Sequence, residues 1–251
     1  MATTKHYLTF LLSILFVPAL VGAASGQTAD EVVEKHLAAM GGREALGKLT
    51  SRHSTGKVSV TTEAGTIPGS VEIYVKAPNK SRVNIQLDLS AMGAGEMTID
   101  QRFDGAAGFM LNSMQGDSAI TGNQLENMRN NVFPSALLNY KDAGTKIEVL
   151  PKEKVGDKDA LVLLMTPKSG SAVRMFLDPE TYLIARTIAK INSPQMGGDI
   201  EQTIDLSDYR AVDGVKVAFH LVNTNPMQSL TITLDKVEHN VPIDDAMFVK
   251  K

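Results

Sequence analysis

The chain has no cysteine and no tryptophan among its 251 residues. The first absence removes disulfides, thiol nucleophiles and thiolate metal sites together. Aromatic residues make up only 5% of the sequence. A membrane-spanning β-barrel carries aromatic girdles at both interfaces, so this composition argues against one. Net charge is small: −3 formally, and −4 without Lys5 near the start. Nucleic-acid binding wants a basic face, and the sequence encodes none. Long apolar runs are confined to one place, Leu8 to Val21. That run falls short of the ~20 residues that span a bilayer as a helix.

This single run has the form of an export signal. Lys5 and His6 lie in a short polar start, and Gly22, Ala23, Ala24, Ser25 and Gly26 close the segment. Signal peptidase requires small side chains before the cut. The expectation is a signal peptide over residues 1–26, cut within 23–26, and one periplasmic domain over 27–251. The length that remains suits one sizeable domain.

Motifs for chemistry are missing as well. There is no HExxH and no GxSxG. His36, His53, His220 and His239 show no metal-ligand spacing, and the last two fall on predicted strands, on polar faces. The pairs Asp157 with Asp159 and Asp244 with Asp245 sit in turns or helix starts, where Asp caps backbone amides. Gly93-Ala94-Gly95 and Gly197-Gly198 lack a following helix to hold phosphate, and read as hairpin turns. The sequence therefore predicts a protein that is not an enzyme and needs neither cofactor nor metal.

What is present is alternation. Val71, Ile73 and Val75 alternate with Glu72, Tyr74 and Lys76, and Val83, Ile85, Leu87 and Leu89 with Asn84, Gln86 and Asp88. Similar rows run through Ile200 to Leu206, Val215 to Leu221 and Leu230 to Leu234. A period of two with one apolar face predicts half-buried antiparallel strands. Turns such as Ala77-Pro78-Asn79 and Asp213-Gly214 separate them, giving about eleven strands in meander order. Helices are expected in few places. Thr28 with Glu31 is a capping-box pattern ahead of Val33, Leu37 and Met40. Arg43 to Leu49 offers another short helix. Thr121 with Gln124 opens a stripe of Leu125, Met128 and Val132, which Pro134 ends or kinks, with a restart over Ser135 to Tyr140.

These elements do not balance in area. Eleven strands at ~4.8 Å spacing make a sheet about 50 Å wide, and two helices about 10 Å across cannot cover its apolar face. The sheet must curl around them or fold over as a sandwich. Five methionines between residues 92 and 128 suit either an adaptable apolar surface or plain core filling.

The order of elements resembles the LolA/LolB-like group of periplasmic lipoprotein carriers and outer-membrane lipoprotein-sorting proteins. The likeness rests on Phe176 to Leu183 with its Asp178 before the turn, and on the Asp208-Tyr209 to Val217 hairpin. It also rests on the closing turn from Val241 to Phe248, and on the opening helix within Ala29 to Leu49. The resemblance implies an α+β, mainly β fold: an unclosed antiparallel β-barrel with helices lining or covering its opening. It implies a monomer that carries lipid or a lipoprotein acyl chain and meets inner- or outer-membrane sorting components. Nucleic acid and metal are not expected partners. Candidate ligand-lining residues are Val58, Val60, Val71, Ile73, Val75, Val83, Ile85 and Leu87 on the first strands, with Met128, Val132 and Phe133 from the mid-chain helical region. Each also serves as ordinary core. The alternative is an envelope scaffold or sensor domain with a filled core that binds a protein partner.

Overall fold

The structure is a computed structural model and describes residues 27–193 and 198–250. The expected signal peptide lies outside the described residues. The strands are β1 (Ser51–Thr62), β2 (Gly65–Lys76), β3 (Lys80–Asp88), β4 (Glu96–Phe103), β5 (Gly108–Asn112), β6 (Ser118–Ile120), β7 (Lys146–Val155), β8 (Lys158–Thr166), β9 (Val173–Leu177), β10 (Ile184–Ser193), β11 (Gly198–Val212), β12 (Val215–Thr224) and β13 (Ser229–His239). All thirteen join one antiparallel sheet in the order β6-β5-β4-β3-β2-β1-β13-β12-β11-β10-β9-β8-β7. The expectation of an unclosed antiparallel barrel holds, with thirteen strands instead of about eleven. Segments such as the three-residue β6 are too short for alternation to announce them.

Connectivity explains the helical segment at mid-chain. β6 and β7 follow each other in sequence but occupy opposite edges of the sheet. The chain from residue 121 to 145 must therefore cross from one edge to the other. A flat sheet of this many strands would measure about 58 Å across. A helix of nine residues, α3 (Gly122–Asn130), covers only about 14 Å of that. The turns that follow are compact, so the sheet must curl to bring its edges within reach.

The helix α1 (Ala29–Ala39) forms where the capping box predicted. The Thr28 hydroxyl accepts from the Glu31 N–H at 3.2 Å, and the Glu31 carboxylate accepts from the Thr28 N–H at 3.0 Å. Val32, Val33, His36 and Leu37 form its buried face. Gly41 ends it at φ +125°, where an added Cβ would lie 2.4 Å from the Gly214 carbonyl oxygen. The Lys216 N–H donates to the Met40 carbonyl at 2.8 Å, so this corner is pinned to the β11–β12 turn. The helix α2 (Arg43–Gly47) adds Leu46 to the core. At α3 the expected capping box is absent, since Thr121 makes no side-chain cap. The Ser135–Tyr140 segment is a run of turns and not a helix, though Leu137 and Tyr140 are buried. Among the described residues no helix is long and apolar enough to cross a membrane.

The main core lies between α1, α2, the 133–140 turns and the inner face of the sheet. It includes Val33, Leu37, Phe133, Tyr140, Leu163, Met175, Val217 and Phe219. One strand departs from the alternating pattern. Ala160, Leu161, Val162 and Leu163 of β8 are all buried, because a second cluster of Ala160, Val162 and Phe176 packs on the outer face. The Arg174 guanidinium covers Phe176 there, 5.5 Å from the ring centre.

His36 couples this core to pH. Its ring is buried, and its Nδ1 lies 2.8 Å from the Tyr182 carbonyl oxygen, which makes Nδ1 the donor. Burial holds the imidazole below its ordinary value of 6.5, against the opposing pull of that hydrogen bond. Below 6.5 the unfolded chain takes up a proton that the folded protein refuses. Stability is therefore full above that pH and falls as the pH drops toward the folded value. The thermal midpoint is expected to be lower at pH 5 than at pH 7.5, by roughly 2–4 °C per kcal/mol lost. His36→Gln should shrink that difference. An identical pH profile in the variant would remove His36 as the cause.

Candidate functional site

Residues opposite one another in an antiparallel ladder share a face, so the register defines the inner surface of the first strands. Val58 lies opposite Ile232 and Gly69, Val71 opposite Ile85, and Ile85 opposite Ile99. Val58, Val60, Val71, Ile85 and Leu87 form one buried cluster, each no more than 8% exposed. Ile73 and Val83 pack against it, partly buried. Seven of the eleven candidate residues are thus brought together, and α1 and α2 contribute nothing to this cluster.

The other four lie elsewhere on the same inner side. Val75 packs against the main core with Phe133. Val132, past the end of α3, is 38% exposed. Val75, Val132 and Phe133 border a small cavity of about 80 Å³ with Arg52, Lys80, Ser81, Asn131 and Pro134. Met128 sits further along the strap. The Gln101 amide approaches its sulfur at 3.6 Å, and a Cβ on Gly108 would lie 3.2 Å from the same atom. Gly108 therefore lets α3 approach β4 and β5 closely. On its far side α3 reaches the β8–β9 loop. There the Asn127 side-chain carbonyl accepts from the Ser171 N–H at 2.7 Å, and the Asn130 side-chain amide donates to the Ser169 carbonyl at 2.6 Å. The helix ties the two sides of the opening.

A wider surface depression, about 480 Å³, lies outside this face beside α2 and is bordered by Gly41, Glu44, Lys48, Asp213 and Asn240. It is open and of mixed polarity, with Ala45 and Leu49 also at its border, and none of the candidate residues borders it.

Sequence reasoning misses the polar members of the inner face. Arg52 and Ser54 share it with Val58 and Val60, and Arg52 lies opposite Val75 and His239. Alternation places His239 on a polar face. A bulge changes its side: Thr55 pairs Lys236 but Gly56 pairs Leu234, so Asp235 is the extra residue. From there Val237 and His239 point inward where Lys236 and Glu238 otherwise would. The His239 side chain is 1% exposed and its Nδ1 lies 3.3 Å from Asp213. Burial lowers its pKa, and the nearby charge of Arg52 adds to the effect against the pull of Asp213. Among the described residues no group of three His, Asp or Glu is placed to hold a metal.

Three solved structures share this architecture. A DUF1329 family protein from Desulfovibrio piger superposes with a TM-score of 0.57 at 14% identity, over 88% of this chain and 97% of the other. A LolA superfamily protein from Nitrosomonas europaea gives 0.56 at 13% identity, over 90% and 99%. An outer membrane lipoprotein-sorting protein domain from Vibrio parahaemolyticus gives 0.55 at 12% identity, over 87% and 94%. The chain has the LolA-like fold. No family model and no curated protein matches the sequence. The LolA-like fold thus stands on shape, at identities that settle architecture and leave function to the site. In this LolA-like sheet, the site candidates are the buried cluster from Val58 to Leu87, to which α1 and α2 contribute no residue, and an arginine on the same face.

Proposed function

We propose that the protein is a periplasmic, non-enzymatic binding or carrier protein for lipid or lipoprotein acyl chains, held on the inner face of the sheet. The observation that carries this reading is the Val58–Val60–Val71–Ile85–Leu87 cluster, a buried apolar row on the inner face that takes no residue from α1 or α2. Burying a methylene stabilises binding by ~0.8 kcal/mol, so about 16 carbons supply ~10 kcal/mol before ordering costs. The room present, about 80 Å³, is well below the ~300–1,000 Å³ of a typical ligand pocket. On this reading, acyl entry requires the 131–140 segment to lift from the sheet.

Native mass spectrometry of the protein purified from the periplasm tests this. Co-purifying lipid or acylated peptide is expected, and Val132→Asp, at a half-exposed position, should weaken uptake of an added palmitoylated peptide by at least about tenfold while leaving the circular dichroism unchanged. A clean apo mass with no uptake of palmitoylated peptide would overturn the reading in favour of a packed envelope domain that binds protein.

A further inference from the structure

The sequence has eight arginines, and seven of them reach a carboxylate: Arg43 with Glu34, Arg82 and Arg102 with Asp100, Arg129 with Glu126, Arg174 with Glu153, Arg186 with Asp205, and Arg210 with Asp208. Arg52 is the exception among the described residues. It makes no hydrogen bond or ion pair, and its Nε is sealed from solvent without a partner. Its guanidinium lies 5.8 Å from the centre of the Phe133 ring and borders the small cavity beneath Val132. The other buried side-chain polar atom without a partner among the described residues is the Ser54 hydroxyl, 2% exposed. It is two residues along the same face of the same strand, about 7 Å away.

Both orphaned groups of the described structure therefore sit together, at the end of an apolar row that continues through Val58 and Val60. A buried polar group without a partner is costly, and a buried charge more so. Carboxylate partners raise Arg43, Arg82, Arg186 and Arg210 above the ordinary arginine value. Burial alone acts on Arg52, in the opposite direction. The neighbours of Arg52 supply no negative charge: Val75 on β2, His239 on β13, and Lys80, Ser81, Asn131 and Phe133 around the cavity, of which Lys80 is a second cation. The carboxylates closest to these neighbours are engaged elsewhere: Asp213 faces His239 from a 63% exposed position, and Asp245 pairs with Lys76 and Lys80. An unmatched guanidinium fork and a hydroxyl are donors for oxygen.

We propose that Arg52, with Ser54 beside it, anchors an oxyanionic head group, a carboxylate or a phosphate, carried by the aliphatic ligand of this inner face. The assignment rests on the acyl-binding reading and adds its head-group chemistry. The head group enters beneath Val132 and Phe133, and the chain lies toward Val58 and Val60. A guanidinium that forks onto two oxygens discriminates strongly for an anion, so a neutral ester of the same chain is a poor substitute.

Equilibrium binding of three probes with the same chain length tests this: laurate, dodecyl phosphate and methyl laurate. The wild-type protein is expected to prefer at least one anion over methyl laurate by about tenfold or more, and the tighter anion names the head group. Arg52→Met should abolish that preference, weakening the anions by about tenfold more than methyl laurate, with Ser54→Ala acting in the same direction more weakly. The Arg52→Met thermal midpoint should not fall, since the variant removes a guanidinium whose sealed Nε has no partner. If all three probes bind alike, or Arg52→Met keeps the preference, the anchor is wrong while the acyl reading stands. If none of the three binds, both are overturned.

Discussion

Replacing Asp100 with alanine is expected to destabilise the protein by about 3–5 kcal/mol, the range for breaking a buried ion pair by removing one partner. Asp100 is 5% exposed on the outer face of β4. Arg82 donates to it through Nε at 2.9 Å and Nη2 at 2.8 Å, and Arg102 through Nε at 3.1 Å and Nη2 at 2.7 Å. Burial pushes the Asp100 carboxyl up, and the two guanidiniums outweigh that and hold it below the usual carboxylate range. Without it, two largely buried cations remain side by side without the carboxylate that pairs them, and only Glu72, acting on Arg82 from further off, opposes their charge. The loss also reaches the end of the chain. Arg102 donates to the Val249 carbonyl at 2.8 Å, and Arg82 approaches the Met247 sulfur at 3.7 Å. This triad therefore holds the last turn, where Phe248 is fully buried. Asp100→Asn keeps the shape and one acceptor, and should cost less than Asp100→Ala. Urea unfolding of both variants is the measurement. A loss below about 1 kcal/mol for the alanine variant would show that the triad is solvated like a surface pair.

The second large effect is expected at Gly69. An added Cβ there would lie 2.1 Å from the Gln86 carbonyl oxygen and 3.0 Å from a Leu87 methyl. At Gly56 it would lie 2.3 Å from the Thr233 carbonyl oxygen. The obstructing atoms are backbone of the neighbouring strand, which cannot swing aside. These glycines are diagonal neighbours across the β1–β2 ladder, since Gly56 faces Val71 and Val58 faces Gly69. Glycines so placed let adjacent strands bend sharply together. Gly69→Ala should destabilise by about 2–3 kcal/mol, as overpacking does. Gly95 has ordinary backbone angles, and a Cβ added there would meet nothing within 4 Å, so Gly95→Ala should stay within about 0.5 kcal/mol. Equal midpoints for the two variants in thermal unfolding would mean that the sheet relaxes around Gly69 without strain.

Much of this fold is legible in the sequence, and the failures share a cause. The capping box at Thr28 and the rows from Val71 to Val75 and from Val83 to Leu87 are local patterns, and they form as the spacing dictates. The side on which His239 falls is not local. It depends on a single extra residue, Asp235, in the ladder between β1 and β13, which no alternation reveals. Arg52 is readable in principle. Counting back by twos from Val60 gives Val58, Gly56, Ser54 and Arg52, all on the inner face. An apolar row starts only at Val58 because the earlier members are polar or small, and polar residues in an apolar register are what a site looks like. Thr121 has the spacing of a cap but does not form one. The 121–145 stretch is placed by the need to cross the sheet, so tertiary demands override its local signals.

The strand order also has a consequence for how the chain assembles. Eleven of the twelve ladders join strands consecutive in sequence, and only β1 with β13 joins residues about 180 positions apart. The molecule is two ribbons of local hairpins, β1–β6 and β7–β13, sewn along one seam. Each ribbon can gather from neighbouring contacts, which form quickly because little chain entropy is lost in closing short loops. The seam has to wait for both. The last of the described strands, β13, therefore completes the sheet at its middle, leaving β1 with an unpaired edge until translation has reached residue 239.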